Sequence, residues 1–243
     1  MKKITTIEEG VESLFLAGQR PSVPFTYEKA GREDRCDSLI LDGERYPIFT
    51  WRYHPKYYTL RSSLPMLGEL STVKSLDFAP RSRTMAQELF RELDLVEFFL
   101  SARIISIMGY GNQQAANFIV RLDNGTIANL EMSVTMPEEA NRESKHTIFT
   151  TNGMVTDMIA DNVIIQQQVH LFNKGKDPVA FTDHDVNLFG LELEAQNICY
   201  AIYALIDQRE DRNEWRNRIP HLNHLVDEAL ACLETGKKYQ ESC

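Results

Sequence analysis

Apolar residues with helical spacing open the chain. They run from Ile7 to Phe15, after a capping-box pair formed by Thr6 and Glu9. Three further segments are predicted up to residue 51: a strand over Val23–Tyr27, a polar and partly helical stretch over Arg32–Leu41, and a strand over Tyr46–Trp51. This order of helix, strand, helix and strand is typical of an α/β sheet.

The pattern changes after Tyr53. A helix is predicted over residues 54–63 and a strand over Glu69–Phe78. An amphipathic helix is predicted over Thr84–Leu100, with a buried stripe of apolar residues at helical spacing. Five strand-like segments then follow without an intervening helix: Ile104–Gly109, Ala115–Leu122, Thr126–Val134, His146–Thr151 and Val163–Phe172.

Successive strands of this kind favour a mostly antiparallel sheet. Asp123-Asn124-Gly125 is a strong hairpin signal between two of them. Two helices are predicted to close the chain, over Leu188–Asp207 and from Pro220 to Gly236. The predicted fold class is therefore α/β (α+β). We expect an incomplete α/β lobe over residues 1–52, followed over residues 53–243 by a domain whose open sheet carries helices on one face.

The charge and the cysteines narrow the classes of function. The 243 residues carry a net charge of −9, which disfavours nucleic acid and anionic membranes as main partners, because both attract basic surfaces. The four cysteines, which are Cys36, Cys199, Cys232 and Cys243, show no metal-ligand spacing, so no metal site is predicted. Without a signal peptide or a long apolar run, a cytoplasmic location is expected.

Three motifs resemble the Gfo/Idh/MocA family, the glucose-fructose oxidoreductase and inositol dehydrogenase group. They are Trp51-Arg52-Tyr53-His54-Pro55 with Leu67-Gly68-Glu69-Leu70, Arg121-Leu122-Asp123-Asn124-Gly125-Thr126 with Leu130-Glu131-Met132-Ser133, and Thr150-Thr151-Asn152-Gly153-Met154. The resemblance implies a Rossmann domain joined to a C-terminal α/β domain. It also implies an open antiparallel sheet that often forms the oligomer interface, so a homo-oligomer is expected.

Glu28-Lys29-Ala30 is similar to the family's Glu-Lys-Pro, in which the lysine is catalytic and lies near the nicotinamide. On that alignment the chain is expected to begin midway through a Rossmann domain, which makes it a truncated, Rossmann-like lobe. Lys29 is then a candidate catalytic residue, if the protein is active, or simply a surface lysine after a strand.

A nicotinamide dinucleotide needs a strand followed by G-x-G-x-x-G, so that its pyrophosphate can approach a helix N-terminus. Gly109-Tyr110-Gly111 is the one G-x-G in the sequence, and it precedes a strand-like run rather than a helix. No cofactor is therefore expected, and NAD(P) would bind only if another chain supplied the nucleotide-binding half.

The predicted helix over Thr84–Leu100 lacks the family's proton-transfer pair, an Asp followed four positions later by a His. Gln87 and Arg91 occupy those two positions. Glutamine cannot titrate and arginine cannot act as a base near neutral pH. Both could bind an oxygen-rich or anionic ligand, or both could be solvated helix residues. Arg52 and His54, where the family's two domains meet, are further candidates for substrate binding.

Three functions stay open from the sequence. The first is a non-catalytic protein of this family that binds a sugar-like or polyol-like ligand or serves in an assembly. The second is the substrate-domain subunit of an NAD(P)-dependent sugar or polyol dehydrogenase that another chain completes, with Lys29 catalytic and Arg91 orienting the substrate. The third is a scaffold without a ligand.

Overall fold

The computed structural model describes residue 4 and residues 6–158, 168–182 and 190–241. Five α-helices occur in these ranges: α1 (Ile7–Ala17), α2 (Pro55–Ser63), α3 (Met85–Leu100), α4 (Leu193–Ile206) and α5 (Arg212–Thr235). Short 3-10 helices at Thr50–Tyr53 and Leu64–Met66 flank α2.

The same residues form twelve strands. Three belong to a small sheet: β1 (Thr26–Glu28), β2 (Asp37–Leu41) and β3 (Glu44–Ile48). The other nine are β4 (Leu70–Pro80), β5 (Ile104–Gly111), β6 (Ala115–Leu122), β7 (Ile127–Met136), β8 (Glu143–Thr150), β9 (Gly153–Thr156), β10 (Gln168–Asn173), β11 (Val179–Thr182) and β12 (Tyr239–Gln240).

The predicted helix ends are confirmed where local chemistry determines them. The Thr6 hydroxyl accepts a hydrogen bond from the Glu9 amide and starts α1. Thr84 and Gln87 form a reciprocal capping box at the start of α3, which satisfies two amides that the helix leaves unpaired. Gly236 ends α5 in the left-handed conformation.

The helical stretch predicted within Arg32–Leu41 is wrong, because residues 37–41 form strand β2. β2 pairs antiparallel with β1 on one side and with β3 on the other. Asp42 and Gly43 join β2 to β3 with φ values of 54° and 79°, and positive φ at both central residues is what a tight hairpin turn needs.

The nine strands form one sheet in the order β11-β10-β9-β8-β4-β7-β6-β5-β12. β4 pairs in parallel with β7, and every other described pair is antiparallel, which confirms the predicted fold class. The hairpin predicted at Asp123-Asn124-Gly125 joins β6 to β7. Of the predicted strand Val163–Phe172, residues 163–167 lie outside the described residues, and so do residues 188 and 189 of the next predicted helix.

Helices cover one face of the large sheet. α3 packs on β4 and β7, α5 on β5, and α2 on β9 and β10. The hydrophobic core runs without a break from Val11 and Leu39 to Leu89 and Phe118, so it contains residues from both sides of position 52. The division into domains at that position stays a prediction.

Two of the sequence motifs meet in space. Gly68, which leads into β4, has a φ of +83°, and a β-carbon there would lie 2.7 Å from side-chain atoms of Thr151 and Asn152 in the β8–β9 turn. The Asn152 amide donates to the Leu67 carbonyl, and the Thr151 amide donates to the Glu69 carbonyl. The two motifs therefore form one contact that holds β4 and β8 in register.

Gly153 ends this turn and is expected to be intolerant of a side chain. A β-carbon at Gly153 would lie 1.8 Å from the Phe172 carbonyl oxygen, so the β9–β10 pair would have to separate. We expect Gly153→Ala to lower the free energy of unfolding in urea by more than about 2 kcal/mol.

Gly125→Ala is the matched control, because Gly125 also has a positive φ but has open space around it. It should cost about 1 kcal/mol of backbone strain. Equal losses for the two variants would contradict the steric origin of the effect.

Candidate functional site

Arg91 lies at the centre of the interface between α3 and the sheet. Its side chain is 2% exposed. One terminal nitrogen contacts Asp77 Oδ1 at 2.5 Å and Glu92 Oε1 at 2.7 Å, and the other donates to the Tyr57 hydroxyl at 3.4 Å. Glu88 Oε2 lies 3.6 Å from Arg91 Nε. Every contact of the guanidinium therefore lies inside the protein.

Further polar side chains extend this arrangement. Glu92 Oε2 accepts a hydrogen bond from Ser75 at 2.6 Å and lies 3.0 Å from His146 Nε2. We call Asp77, Glu88, Arg91, Glu92 and His146 the buried ion network. Two basic residues lie at its margin: Lys56 pairs with Asp157 at 2.9 Å, and Arg142 pairs with Glu88 at 3.4 Å.

The carboxyl groups of the network differ in protonation. Burial raises the pKa of Asp77 to about 7, and the charges of Glu92 and Glu88 act in the same direction against Arg91. Although burial also disfavours ionised Glu92, Arg91 and His146 hold the pKa of Glu92 below its ordinary value. Asp77 Oδ2 has no hydrogen-bond partner among the described residues. Asp77 is thus the carboxyl group of the network that titrates near neutral pH.

Gln87 has a structural contact beyond the capping box. Its side-chain amide donates to the carbonyl oxygens of Gly31 and Asp34, both at 2.9 Å, and the residue is buried. These bonds fix the loop of residues 31–36 against the first turn of α3. The loop therefore covers the face of the helix on which Gln87 lies.

Arg52 forms a second charged cluster on α3. It binds Asp94 with two nitrogens at 2.6 and 2.9 Å, and Arg218 binds the same carboxylate at 2.5 Å. Although burial disfavours a charged Asp94, these two arginines hold the pKa of Asp94 below its ordinary value. Arg52 thus ties the segment after β3 to α3 and α5.

His54 and Lys29 differ in their environments. His54 caps α2 by accepting a hydrogen bond from the Lys56 amide at 3.3 Å, and burial lowers the pKa of His54 well below its ordinary value, so the ring is neutral. Lys29 is exposed in the loop after β1.

The five candidate residues do not meet in one open cleft. None of Lys29, Arg52, His54, Gln87 or Arg91 lines any of three cavities that the described residues form. The side-chain amide of Gln87 and the terminal nitrogens of Arg91 donate within the chain, and both residues are buried, which is the reverse of the solvated helix residues considered as an alternative. Substrate binding and catalysis by these five residues stay predictions.

The sequence analysis missed Asp77, Glu92 and His146. The signal was available for Asp77, because the alternation of β4 puts Ser75 and Asp77 on the same face as Val73, and that face carries the core. A polar pair at core positions indicates a buried network.

Within the described ranges, no group of three or more His, Cys, Asp or Glu side chains could hold a metal ion. No helix among the same residues is long and apolar enough to cross a membrane.

Replacing Arg91 should destabilise the fold more than replacing a partly exposed arginine of the same region. Arg91→Gln leaves buried carboxylates without their counter-charge, and we expect a loss of about 3–5 kcal/mol in the free energy of unfolding. In the control, Arg142→Gln, a side chain that is 34% exposed is lost, and the expected change is less than about 1 kcal/mol. Denaturant titration measures both, and equal changes would contradict the central place of Arg91.

Asp77 should make stability depend on pH. The unfolded chain releases this proton near the ordinary pKa of 3.8, whereas the folded chain keeps it up to about pH 7. The contribution of Asp77 to stability is therefore complete below about pH 4 and is lost as the pH rises to about 7.

Wild type should accordingly lose stability relative to Asp77→Asn over this range. The upper limit of the difference is about 4 kcal/mol, since one pKa unit corresponds to about 1.4 kcal/mol. Urea titrations of both proteins at several pH values test this, and parallel pH profiles would contradict the raised pKa.

This chain resembles known proteins in its structure. No protein-family model matches the sequence, and no curated protein matches it either. Solved structures do match. An oxidoreductase domain protein from Kribbella flavida superposes with a TM-score of 0.63 at 12% identity, over 80% of this chain and 66% of that one.

Two further structures have specific activities in their names. UDP-N-acetylglucosamine 3-dehydrogenase from Acidithiobacillus ferrooxidans matches with a TM-score of 0.58 at 18% identity, over 94% of this chain and 67% of its own. Apo scyllo-inositol dehydrogenase from Lactobacillus casei matches with a TM-score of 0.57 at 13% identity, over 79% of this chain and 62% of its own. The chain thus spans about two thirds of these proteins. It has the fold of the Gfo/Idh/MocA-type oxidoreductases, as the resemblance in its sequence predicted.

Proposed function

We propose that this protein is a non-catalytic relative of these oxidoreductases and works as an assembly subunit, joined to copies of itself through the open face of its large sheet. The buried ion network is the observation that supports the first half of the proposal. The open sheet face supports the second half.

The network occupies the place where the resemblance puts proton transfer. A proton-transfer pair must reach a substrate and must change protonation near the working pH. Arg91 satisfies neither condition, because it is buried among carboxylates and keeps its charge. Gln87 does not titrate, and its amide is bound to the loop of residues 31–36. Sugar or polyol binding through these two side chains has little support for the same reason.

The open face of the sheet is suited to contact a second copy. Of the ten large hydrophobic residues that are exposed among the described residues, half lie on this face, on β5, β6, β7 and β8, with β4 between the last two strands: Met108, Tyr110, Ile119, Ile127 and Phe149. Described helices pack against the opposite face.

Charges of both signs lie among these apolar residues. Lys74 and Lys145 alternate with Glu131 on β4, β8 and β7, with side chains on the open face. A twofold axis can place such a mixed surface against itself with opposite charges in contact. We therefore propose a homodimer or a higher homo-oligomer.

The competing proposal is a dehydrogenase subunit that another chain completes. It is favoured by one observation, which is that roughly a third of each matched dehydrogenase has no counterpart in this chain. NAD(P) would then bind mainly to the partner chain, and exposed Lys29 would be the catalytic residue. An increase in NADH fluorescence on adding this chain, with or without sugars and polyols, would favour the competing proposal, because the assembly subunit is expected to leave the fluorescence unchanged.

Charges placed on the open face should dissociate the oligomer. Ile119→Asp and Phe149→Asp each put a carboxylate into the proposed contact, where it would lose its hydration without a partner. We expect sedimentation velocity to show an oligomer for the wild type and a shift of at least about tenfold in the dissociation constant for each variant.

Leu16→Asp is the control. Leu16 is 76% exposed, but it lies on α1, away from the sheet. This variant should sediment like the wild type. A monomeric wild type at micromolar concentration, or dissociation by Leu16→Asp as well, would overturn the assembly proposal.

A further inference from the structure

A cavity of about 580 Å³ lies at the N-terminal end of α3, outside the buried ion network. Four separate segments form its wall: the loop after β1, the turn between β4 and α3, the turn between β5 and β6, and the end of β7. The lining residues are Arg32, Arg81, Arg83, Thr84, Met85, Gln113, Gln114, Val134 and Thr135. The volume lies in the range of small-molecule sites, which is roughly 300–1,000 Å³.

The wall carries three positive charges and no carboxylate. This composition is unusual in a chain that has 35 acidic residues against 26 basic ones. Glu88, behind Arg83, is buried and already pairs with Arg83, Arg91 and Arg142. Asp34, near Arg32, accepts a hydrogen bond from the Gly31 amide. The residues that line the cavity therefore carry a net positive charge.

Arg81 and Arg83 are each held in place by one hydrogen bond and keep further nitrogens that can bind a ligand. Arg81 uses Nε to donate to the Thr135 carbonyl at 3.2 Å, and Arg83 uses Nε to bind Glu88 at 2.7 Å. The terminal nitrogens of both, and all the nitrogens of Arg32, have no partner among the described residues. Arginine presents such nitrogens as a planar fork that matches the oxygens of a phosphate.

Other groups of the wall suit the rest of a ligand. The first amides of α3, at Met85 and Ala86, have no intrahelical acceptor, and the helix dipole favours an anion at this end. Gln113 and Gln114 add exposed amide groups, whereas Met85 and Val134 provide a small buried apolar surface.

From this combination we propose that the cavity binds a small molecule bearing a phosphate group, with Arg32, Arg81 and Arg83 as its ligands. The site does not depend on the assembly described above. Its lining includes none of Lys29, Arg52, His54, Gln87 and Arg91.

Isothermal titration of the full chain with pyrophosphate tests the site, and citrate serves as a carboxylate of similar charge. We expect saturable binding of pyrophosphate. Arg32→Gln and Arg81→Gln should each weaken it about tenfold, the effect of losing about one charge-assisted contact of 1.4 kcal/mol. Circular dichroism should confirm that both variants are folded, since Arg32 is exposed and makes no hydrogen bond or ion pair with the described residues.

Arg103→Gln is the matched control, because it removes the same charge at the opposite end of β5 from Gln113. It should change pyrophosphate binding less than twofold. Three results would overturn the proposal: no saturable binding to the wild type, equal weakening by Arg103→Gln, or citrate binding as tight as pyrophosphate with the same dependence on Arg32 and Arg81.

Discussion

The guanidinium of Arg91 is the group on which the packing of this protein depends. A charge removed from water costs several kcal/mol unless opposite charges surround it, so Arg91 requires carboxylates on every element that approaches it. Glu88 and Glu92 supply them from its own helix, and Asp77 on β4 adds a carboxyl group that ionises near pH 7. β4 pairs with both β7 and β8, and Lys56 and Arg142 complete the charge balance at the margin. The position of α3 on the sheet thus follows from electrostatics as much as from apolar contact.

This constraint also links the interior to the outer surface. On the face of α3 near its start, the side-chain amide of Gln87 binds the carbonyls of Gly31 and Asp34. That contact holds the loop over the start of the helix, and the next residue of the loop, Arg32, then faces the cavity that Arg81 and Arg83 line. The loop of residues 31–36 therefore covers the face of α3 on which Gln87 lies and also forms part of the cavity wall.

Sequence reasoning succeeded where the interactions are local. The Thr6 cap of α1, the period of α3 and the hairpin at Asp123-Asn124-Gly125 depend on residues a few positions apart. It failed at β2, because this short strand begins with the polar residues Asp37 and Ser38 and continues with three apolar residues, so it shows little alternation. The partners of Arg91 could not be predicted, since they depend on how β4 lies under α3. Alternation in β4 does reveal that Asp77 faces the core, but not which charge it meets.

The two proposed functions differ in how far the structure would have to change. A dehydrogenase would need a second chain that supplies the missing parts of the active site. A second polypeptide could bring a nucleotide-binding half, but it could not open the interface between α3 and β4 without exposing the carboxylates around Arg91. It would also have to displace the loop that Gln87 holds. Lys29 is the one of the five candidates that is left exposed, and it lines none of the three cavities that the described residues form. The open sheet face needs no such rearrangement to make its contact, which is why assembly is the better-supported function.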